Sequence, residues 1–257
     1  RYPGPPQLYY TNPSQILMRI LGVIPARFAS SRFPGKPLID LNGQTMIERV
    51  YKGALKSKQI NTLIVATDDI RIFEEVQRFG GRAIMTKTTH QTGTDRCAEV
   101  LSHFPDHDVV INIQGDEPLV NAQQLDELLS AFNDTQVQIA TIVNPGVTVA
   151  DLQNVNRIKV LSDAMQNAIY FSRSPLPNMH YAPSPDFPWL RHIGLYAYRA
   201  QTLSHLAQLQ PCALEKAESL EQLRWLYYGY QIRLVNSTIE TPNIDVPDDV
   251  EKVLPFL

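Results

Sequence analysis

The chain has 257 residues, 44% of them hydrophobic and 19% charged, with a formal net charge of −3. That is ordinary for a soluble globular protein, and it excludes a global basic field that would gather nucleic acid or an anionic membrane. No apolar run approaches the ~18 residues of a membrane span, and no charged-then-apolar signal directs export. Two cysteines, Cys97 and Cys212, lie far apart in unlike surroundings, which predicts reduced thiols in a cytosolic protein rather than a disulfide framework.

Residues 1–17 carry Pro3, Pro5, Pro6 and Pro13 without periodicity; they read as an added leader or a disordered tail, with Met18 as the native start. The apolar run Ile20, Leu21, Val23, Ile24 predicts a strand buried on both faces, and Pro25, lacking an N–H, is expected to end it. Asn42-Gly43 signals a tight turn. Thr45 and Glu48 form the pattern of a capping box, opening a helix to about Ser57 with Ile47, Val50, Tyr51, Ala54 and Leu55 inward. A strand over 63–67, a helix from Asp68-Asp69 to Gly80-Gly81 and a short strand over 83–85 follow. Thr94 is expected to cap a helix through Leu101. A strand over 109–113, a helix from about Gln123 to Phe132 and a strand over 139–143 complete the alternation. Strand then helix at these lengths predicts right-handed βαβ units and a mostly parallel sheet.

The pattern changes after Gly146. Segments 158–161 and 168–172 flank a turn and predict a hairpin. Pro175, Pro177, Pro183, Pro185 and Pro188 mark a long loop, of the kind that is often a lid. A strand over 192–198, one periodic helix from Glu215 to about Tyr228, a strand over 232–235 and a short helix from Asp248 end the chain. This is one domain over 18–257 with an insertion at about 157–200. Val160, Tyr170 and Phe171 on that insertion are expected to be covered by a second copy.

Two stretches point to chemistry. Between the first strand and Leu38, the cations Arg27, Arg32 and Lys36 occur with no acid among them, and small residues leave the backbone amides accessible. Such a loop past a first strand is where an open α/β sheet holds a polyphosphate. It is no P-loop, because Lys36 is followed by Pro37 and Ser30 stands five before Gly35, and no G-x-G-x-x-G is present. Gln114-Gly115-Asp116-Glu117-Pro118 follows a buried strand directly, so its acids face the same crevice or else cap the next helix. No His or Cys spacing indicates zinc.

The segment 23–38, His90-Gln91-Thr92-Gly93-Thr94-Asp95-Arg96, Asn112 to Pro118, Tyr170-Phe171-Ser172-Arg173, Arg191 to Tyr196, Leu214 to Arg224 and Ile244 to Asp249 together resemble the CMP-Kdo synthetase (3-deoxy-manno-octulosonate cytidylyltransferase) family. The resemblance runs from about Arg19 to the C-terminus. It implies a three-layer, Rossmann-like nucleotide-diphospho-sugar transferase fold of α/β class. It implies a transfer of CMP from CTP to the anomeric hydroxyl of 3-deoxy-D-manno-octulosonate (Kdo), releasing pyrophosphate and activating Kdo for lipopolysaccharide synthesis. Mg²⁺ is the implied cofactor, held by Asp116 and Asp245, with Asp248 and Asp249 better explained as a helix N-terminus. Arg27, Arg32 and Lys36 complete the catalytic set. CTP is expected on Ala26, Arg27, Arg32, Lys36, His90, Gln91, Thr92, Gly93 and Gln114. The sugar acid is expected on Arg173, His192, Tyr196, Glu215 and Gln222, with Glu218 as a solvated face. The family further implies a cytoplasmic homodimer with small-molecule substrates and neither nucleic acid nor membrane as partner. The competing readings are a transferase for another sugar acid, such as sialate, and a nucleotide-binding regulator on the same fold.

Overall fold

The first strand decides where everything else sits. In the computed structural model, which describes residues 18–29, 33–177, 187–244 and 246–257, β1 (Ile20–Ala26) lies in the middle of the sheet. Arg32, Asp245, Pro183, Pro185 and the leader 1–17 fall outside the described residues. After β1 come a tight hairpin of β2 (Asp40–Leu41) and β3 (Gln44–Thr45), then α1 (Met46–Ala54), β4 (Thr62–Thr67), α2 (Ile70–Arg78) and β5 (Ala83–Met85). Next are α3 (Gly93–Ser102), β6 (Val109–Asn112), α4 (Ala122–Ser130), β7 (Ile139–Asn144) and α5 (Val149–Gln153). The hairpin β8 (Lys159–Ser162) and β9 (Ala168–Ser172) precedes β10 (Leu190–Arg199), α6 (Ala200–Leu206), α7 (Ala213–Glu218) and α8 (Gln222–Tyr227). The chain closes with β11 (Ile232–Asn236) and α9 (Asp249–Val253).

The main path of the central sheet runs β11-β7-β10-β6-β1-β4-β5, with β8 joined to β10 and β9 to β8. β5, β4, β1 and β6 are parallel, as are β7 and β11, and β10 runs antiparallel between β6 and β7. Alternate residues of each strand feed two cores. Ile20 and Ile24 meet α1, α2 and α4 on one face, while Leu21 and Val23 meet α3, α6 and α8 on the other. This is the predicted α/β sheet with helices on both faces.

Several local expectations change. β1 continues through Pro25, paired with Ala66, to Ala26, paired with Thr67. The proline is tolerated because pairing with β6 has already stopped at Val23–Asn112, so its missing N–H faces no ladder partner. Thr92, not Thr94, caps α3, in a reciprocal box with Asp95. Thr45 accepts from Glu48 N as expected, but the Glu48 carboxylate turns to Lys52 and Arg78, and α1 stops at Ala54 with Leu55 exposed. Helices α5 and α6 carry too few turns for a clear periodic signal. Asn42 and Gly43 take φ 55° and 80°, the hairpin turn the sequence announces.

The predicted long helix over 215–228 is two. Ser219 takes a left-handed φ of 52°, and Leu220 N reaches back to Glu215 O at 3.2 Å, which is a Schellman stop without glycine. Val160 and Phe171 are also not left for a second copy: both are buried in the core beneath α8.

Gly115 sits where the strand β6 side of the crevice closes on β1. A Cβ there would stand 2.6 Å from the Pro25 carbonyl oxygen, backbone against backbone. Gly115→Ala therefore forces β1 and the 114–116 loop apart, an overpacking cost of about 1–3 kcal/mol. Thermal unfolding is expected to shift downward and CTP affinity to fall together; an unchanged melt with unchanged CTP binding would show that the loop has slack.

Candidate active site

Two cavities open at the carboxyl end of the parallel strands, on either side of the segment Gln114–Asp116. The first, of about 240 Å³, is walled by Ala26, Arg27, Lys36, Gly93, Asn112 and Asp116. The second, of about 660 Å³, is walled by Glu117, Arg191, His192, Gly194, Asn243 and Lys252. Gln114 lines the first and donates through Nε2 to the carbonyl of Gly194 in the second, at 2.8 Å. That carbonyl is presented by a bulge: the β10–β7 register shifts between Ile193 and Tyr196. Bulges beside a crevice re-aim the strand in this way.

The first cavity gathers most of the expected nucleotide residues. Ala26 ends β1 and Arg27 follows it, its guanidinium donating to the carbonyl of His90. The His90 imidazole pairs with the Glu99 carboxylate, so its ring serves α3 rather than the cavity. Gln91 is exposed and its amide N–H donates to Asp95. Thr92 caps α3 and Gly93 opens it; a Cβ on Gly93 would come 3.1 Å from Asn112 Nδ2. The root of the cationic loop is closed by Gly35 N donating to Phe28 O at 2.9 Å. The Arg71 guanidinium lies 3.3 Å above the centre of the Phe28 ring, a cation–π contact that holds the loop's base to α2.

Lys36 crosses the crevice. Its Nζ donates to Asp116 Oδ2 at 2.7 Å and to the carbonyl of Ile244 at 2.8 Å, and the Lys36 side chain is buried. Ile244 N in turn donates to Asp116 O at 3.1 Å. The chain entering Asp245 is thus held against Asp116 across a long separation in sequence, although Asp245 itself lies outside the described residues.

Two residues missed as site candidates also line the first cavity. Arg96 is fully buried, with Nη2 on Asp68 at 2.9 Å and Nη1 on Thr86, while its Nε has no partner. Asn112 Oδ1 is buried without a partner. Buried polar atoms are normally satisfied, so both mark a place where a ligand can complete the bonding. Their only signal in the sequence is position: one in a helix that opens on the crevice, one at a strand's carboxyl end.

The expected acceptor residues divide. His192 lines the second cavity, its Nε2 3.1 Å from Thr141 Oγ1, with Phe171 and Tyr196 against the ring. Desolvation lowers its pKa to about 3, so at neutral pH it offers a hydrogen bond and no charge. Behind it Tyr196 Oη, Glu221 Oε1 and Gln222 Nε2 are buried without partners. Glu221 Oε2 accepts from Thr94 at 2.8 Å, and burial raises its carboxyl above the ordinary value. Glu221 is the third residue that sequence reasoning passed over.

Glu215 and Arg173 are engaged elsewhere. The Glu215 carboxylate is gripped by the Arg224 guanidinium, Nε to Oε2 at 2.7 Å, and both side chains are largely buried. Arg173 spends its guanidinium on the carbonyls of Glu218, Val155 and Ser219. Glu218 is not a solvated acid: it accepts from Ser172 Oγ at 2.6 Å and Arg173 N at 2.8 Å, tying α7 to the end of β9.

An open α/β sheet with a cationic loop and an acid across one crevice, and a second polar cavity beside it, is the frame of an α/β protein that can hold a phosphorylated ligand and a second small molecule side by side. The cytidylyltransferase family pattern matches residues 21–234. A 3-deoxy-manno-octulosonate cytidylyltransferase of Parabacteroides distasonis is 46% identical over 252 residues, covering 94% of this chain and 99% of the relative. One from Syntrophobacter fumaroxidans is 45% identical over 243 residues, covering 93% and 97%. The solved structure of CMP:2-keto-3-deoxy-manno-octonic acid synthetase complexed with CTP superposes with a TM-score of 0.88 at 41% identity, covering 93% of this chain and 98% of that one. The chain belongs to the 3-deoxy-manno-octulosonate cytidylyltransferase family.

Proposed function

We propose that this protein transfers CMP from CTP to the anomeric hydroxyl of 3-deoxy-D-manno-octulosonate. The observation that carries the reading is the convergence of Lys36, Asp116 and Ile244 beside a cavity walled by Arg27, Lys36 and Asp116, with a second and larger polar cavity past Glu117. CTP occupies the first, with its phosphates at Arg27 and Lys36, joined by Arg32, and its base toward Gly93 and the unpartnered Asn112 Oδ1. The sugar acid occupies the second, whose wall carries His192 together with Arg191, Asn243 and Lys252. The anomeric oxygen attacks the α-phosphorus in line and gives up its proton to solvent, the bond from the α-phosphorus to the bridging oxygen of the β-phosphate breaks, and pyrophosphate leaves with that oxygen. Positioning and charge neutralisation supply most of the catalysis.

The site suits Mg²⁺. Its donors are hard oxygens, and a lysine ammonium already stands between Asp116 and Ile244 as a cation would. Among the described residues no three carboxylate, imidazole or thiol groups gather as a closed cage, which fits an ion that keeps water and phosphate in its shell. Asp116 and Asp245 would hold it, and when bound it would supply Lewis-acid stabilisation of the α-phosphate and the attacking hydroxyl.

Pyrophosphate release tests the reading directly. CTP with Kdo is expected to give turnover, while UTP, ATP or sialate gives little. Equal release with sialate, or with UTP, would overturn it.

The same reading carries a cytoplasmic homodimer. With Val160 and Phe171 buried inside the chain, exposed apolar side chains that can serve it include Ile169 on β9 and Tyr227 on α8. Light scattering is expected to give twice the chain mass at micromolar concentration and the chain mass for Ile169→Asp. A wild-type monomer would remove the idea.

A further inference from the structure

Lys36 raises a question that the reaction leaves open. The oxygen atoms that suit a divalent cation are bound by its ammonium: Asp116 Oδ2 at 2.7 Å and Ile244 O at 2.8 Å. The lysine is 8% exposed, so this is a seated ion pair and not a transient surface contact. An ammonium and a divalent cation cannot both occupy that position, because they share donors and repel at such short range. Lys36 also lines the cavity assigned to the triphosphate, and its flexible four-carbon stem lets the ammonium move to phosphate oxygens without moving the backbone.

We infer that Lys36 is the resident cation of the Asp116 site and that a divalent metal enters only as the triphosphate draws the ammonium away. The inference rests on the proposed cytidylyl transfer, which is what brings a triphosphate and a metal to this crevice. Lys36 has two stations. In the free protein it neutralises Asp116 and ties the chain before Asp245 to the strand end. With nucleotide bound it faces the phosphates and releases Asp116. The metal site is thereby closed until the substrate that needs it has arrived, which makes binding ordered and keeps the free protein from taking up stray divalent ions.

The test is a titration of the full chain with Mn²⁺ alone, read by the electron-paramagnetic-resonance signal of the free ion, with neither CTP nor sugar acid present. Wild type is expected to bind weakly. Lys36→Met and Lys36→Gln, which remove the charge, are expected to bind one Mn²⁺ at least about tenfold more tightly, from the Coulomb term alone. Lys36→Arg keeps the charge and is expected to stay weak. Adding Asp116→Asn to Lys36→Met should abolish the tight site. The inference is overturned if neither Lys36→Met nor Lys36→Gln binds more tightly than wild type, or if wild type already binds as tightly as they do. Because the titration contains no substrate, its failure is separate from failure of the pyrophosphate assay, which tests the reaction itself.

Discussion

Asp116→Asn is expected to slow turnover by about 10²–10³, the usual loss for one catalytic electrostatic contact, and by more if the metal is lost with it. The substitution preserves shape and removes charge. Ile244 N bonds to the Asp116 carbonyl, not to its side chain, so that link survives. Lys36 keeps the Ile244 carbonyl as an acceptor but loses its counter-charge, so the melting midpoint should fall while the fold holds. CTP binding should hold or tighten, because Arg27 and Lys36 remain on the wall of the first cavity and Lys36 is no longer held by a carboxylate. Asp245→Asn is expected to give a similar loss. If both act on one metal, the double variant should be hardly slower than either single one, since each has already removed the shared contribution. Steady-state kcat with separately measured CTP affinity checks this. Near wild-type turnover in Asp116→Asn would leave the acid as a structural anchor for Lys36.

Glu215→Ala is expected to act on stability and not on the acceptor. Both Glu215 oxygens are bound to Arg224, whose side chain is 8% exposed. Removing one member of a buried pair strands the other charge and costs about 3–5 kcal/mol. At about 2–4 °C per kcal/mol for a domain of this size, the midpoint should fall by roughly 6–20 °C. KM for the sugar acid should stay unchanged at temperatures where the variant is folded. Glu215→Gln should recover part of the loss by keeping hydrogen bonds to the guanidinium. A raised KM without a fall in melting temperature would return Glu215 to the acceptor site.

The contrast between Asp116 and Glu215 shows what kind of information each level holds. The α/β alternation was legible because each helix and strand buries one apolar face, and periodicity records that requirement locally. Asp116 was legible in position but not in role: an acid just past a buried parallel strand can face the crevice or cap the next helix, and the family resemblance chose the first. The capping threonine before Gly93 was misplaced by two residues, because Thr92 and Thr94 carry the same chemistry and only backbone geometry separates them. The break at Ser219 left no trace, as neither glycine nor proline marks it. The partners of Glu215 and Arg173 were beyond sequence for a different reason. A charged side chain can bind substrate, salt-bridge to a residue on another helix or satisfy a carbonyl, and its identity is the same in each case. The same holds for Asn112, Arg96 and Glu221, whose unpartnered atoms are visible only once burial is known. Sequence by itself determined the sheet, the cationic loop and the acid opposite. Tertiary structure alone decided which charges remain available to a ligand, because availability depends on what else has been packed within hydrogen-bonding reach.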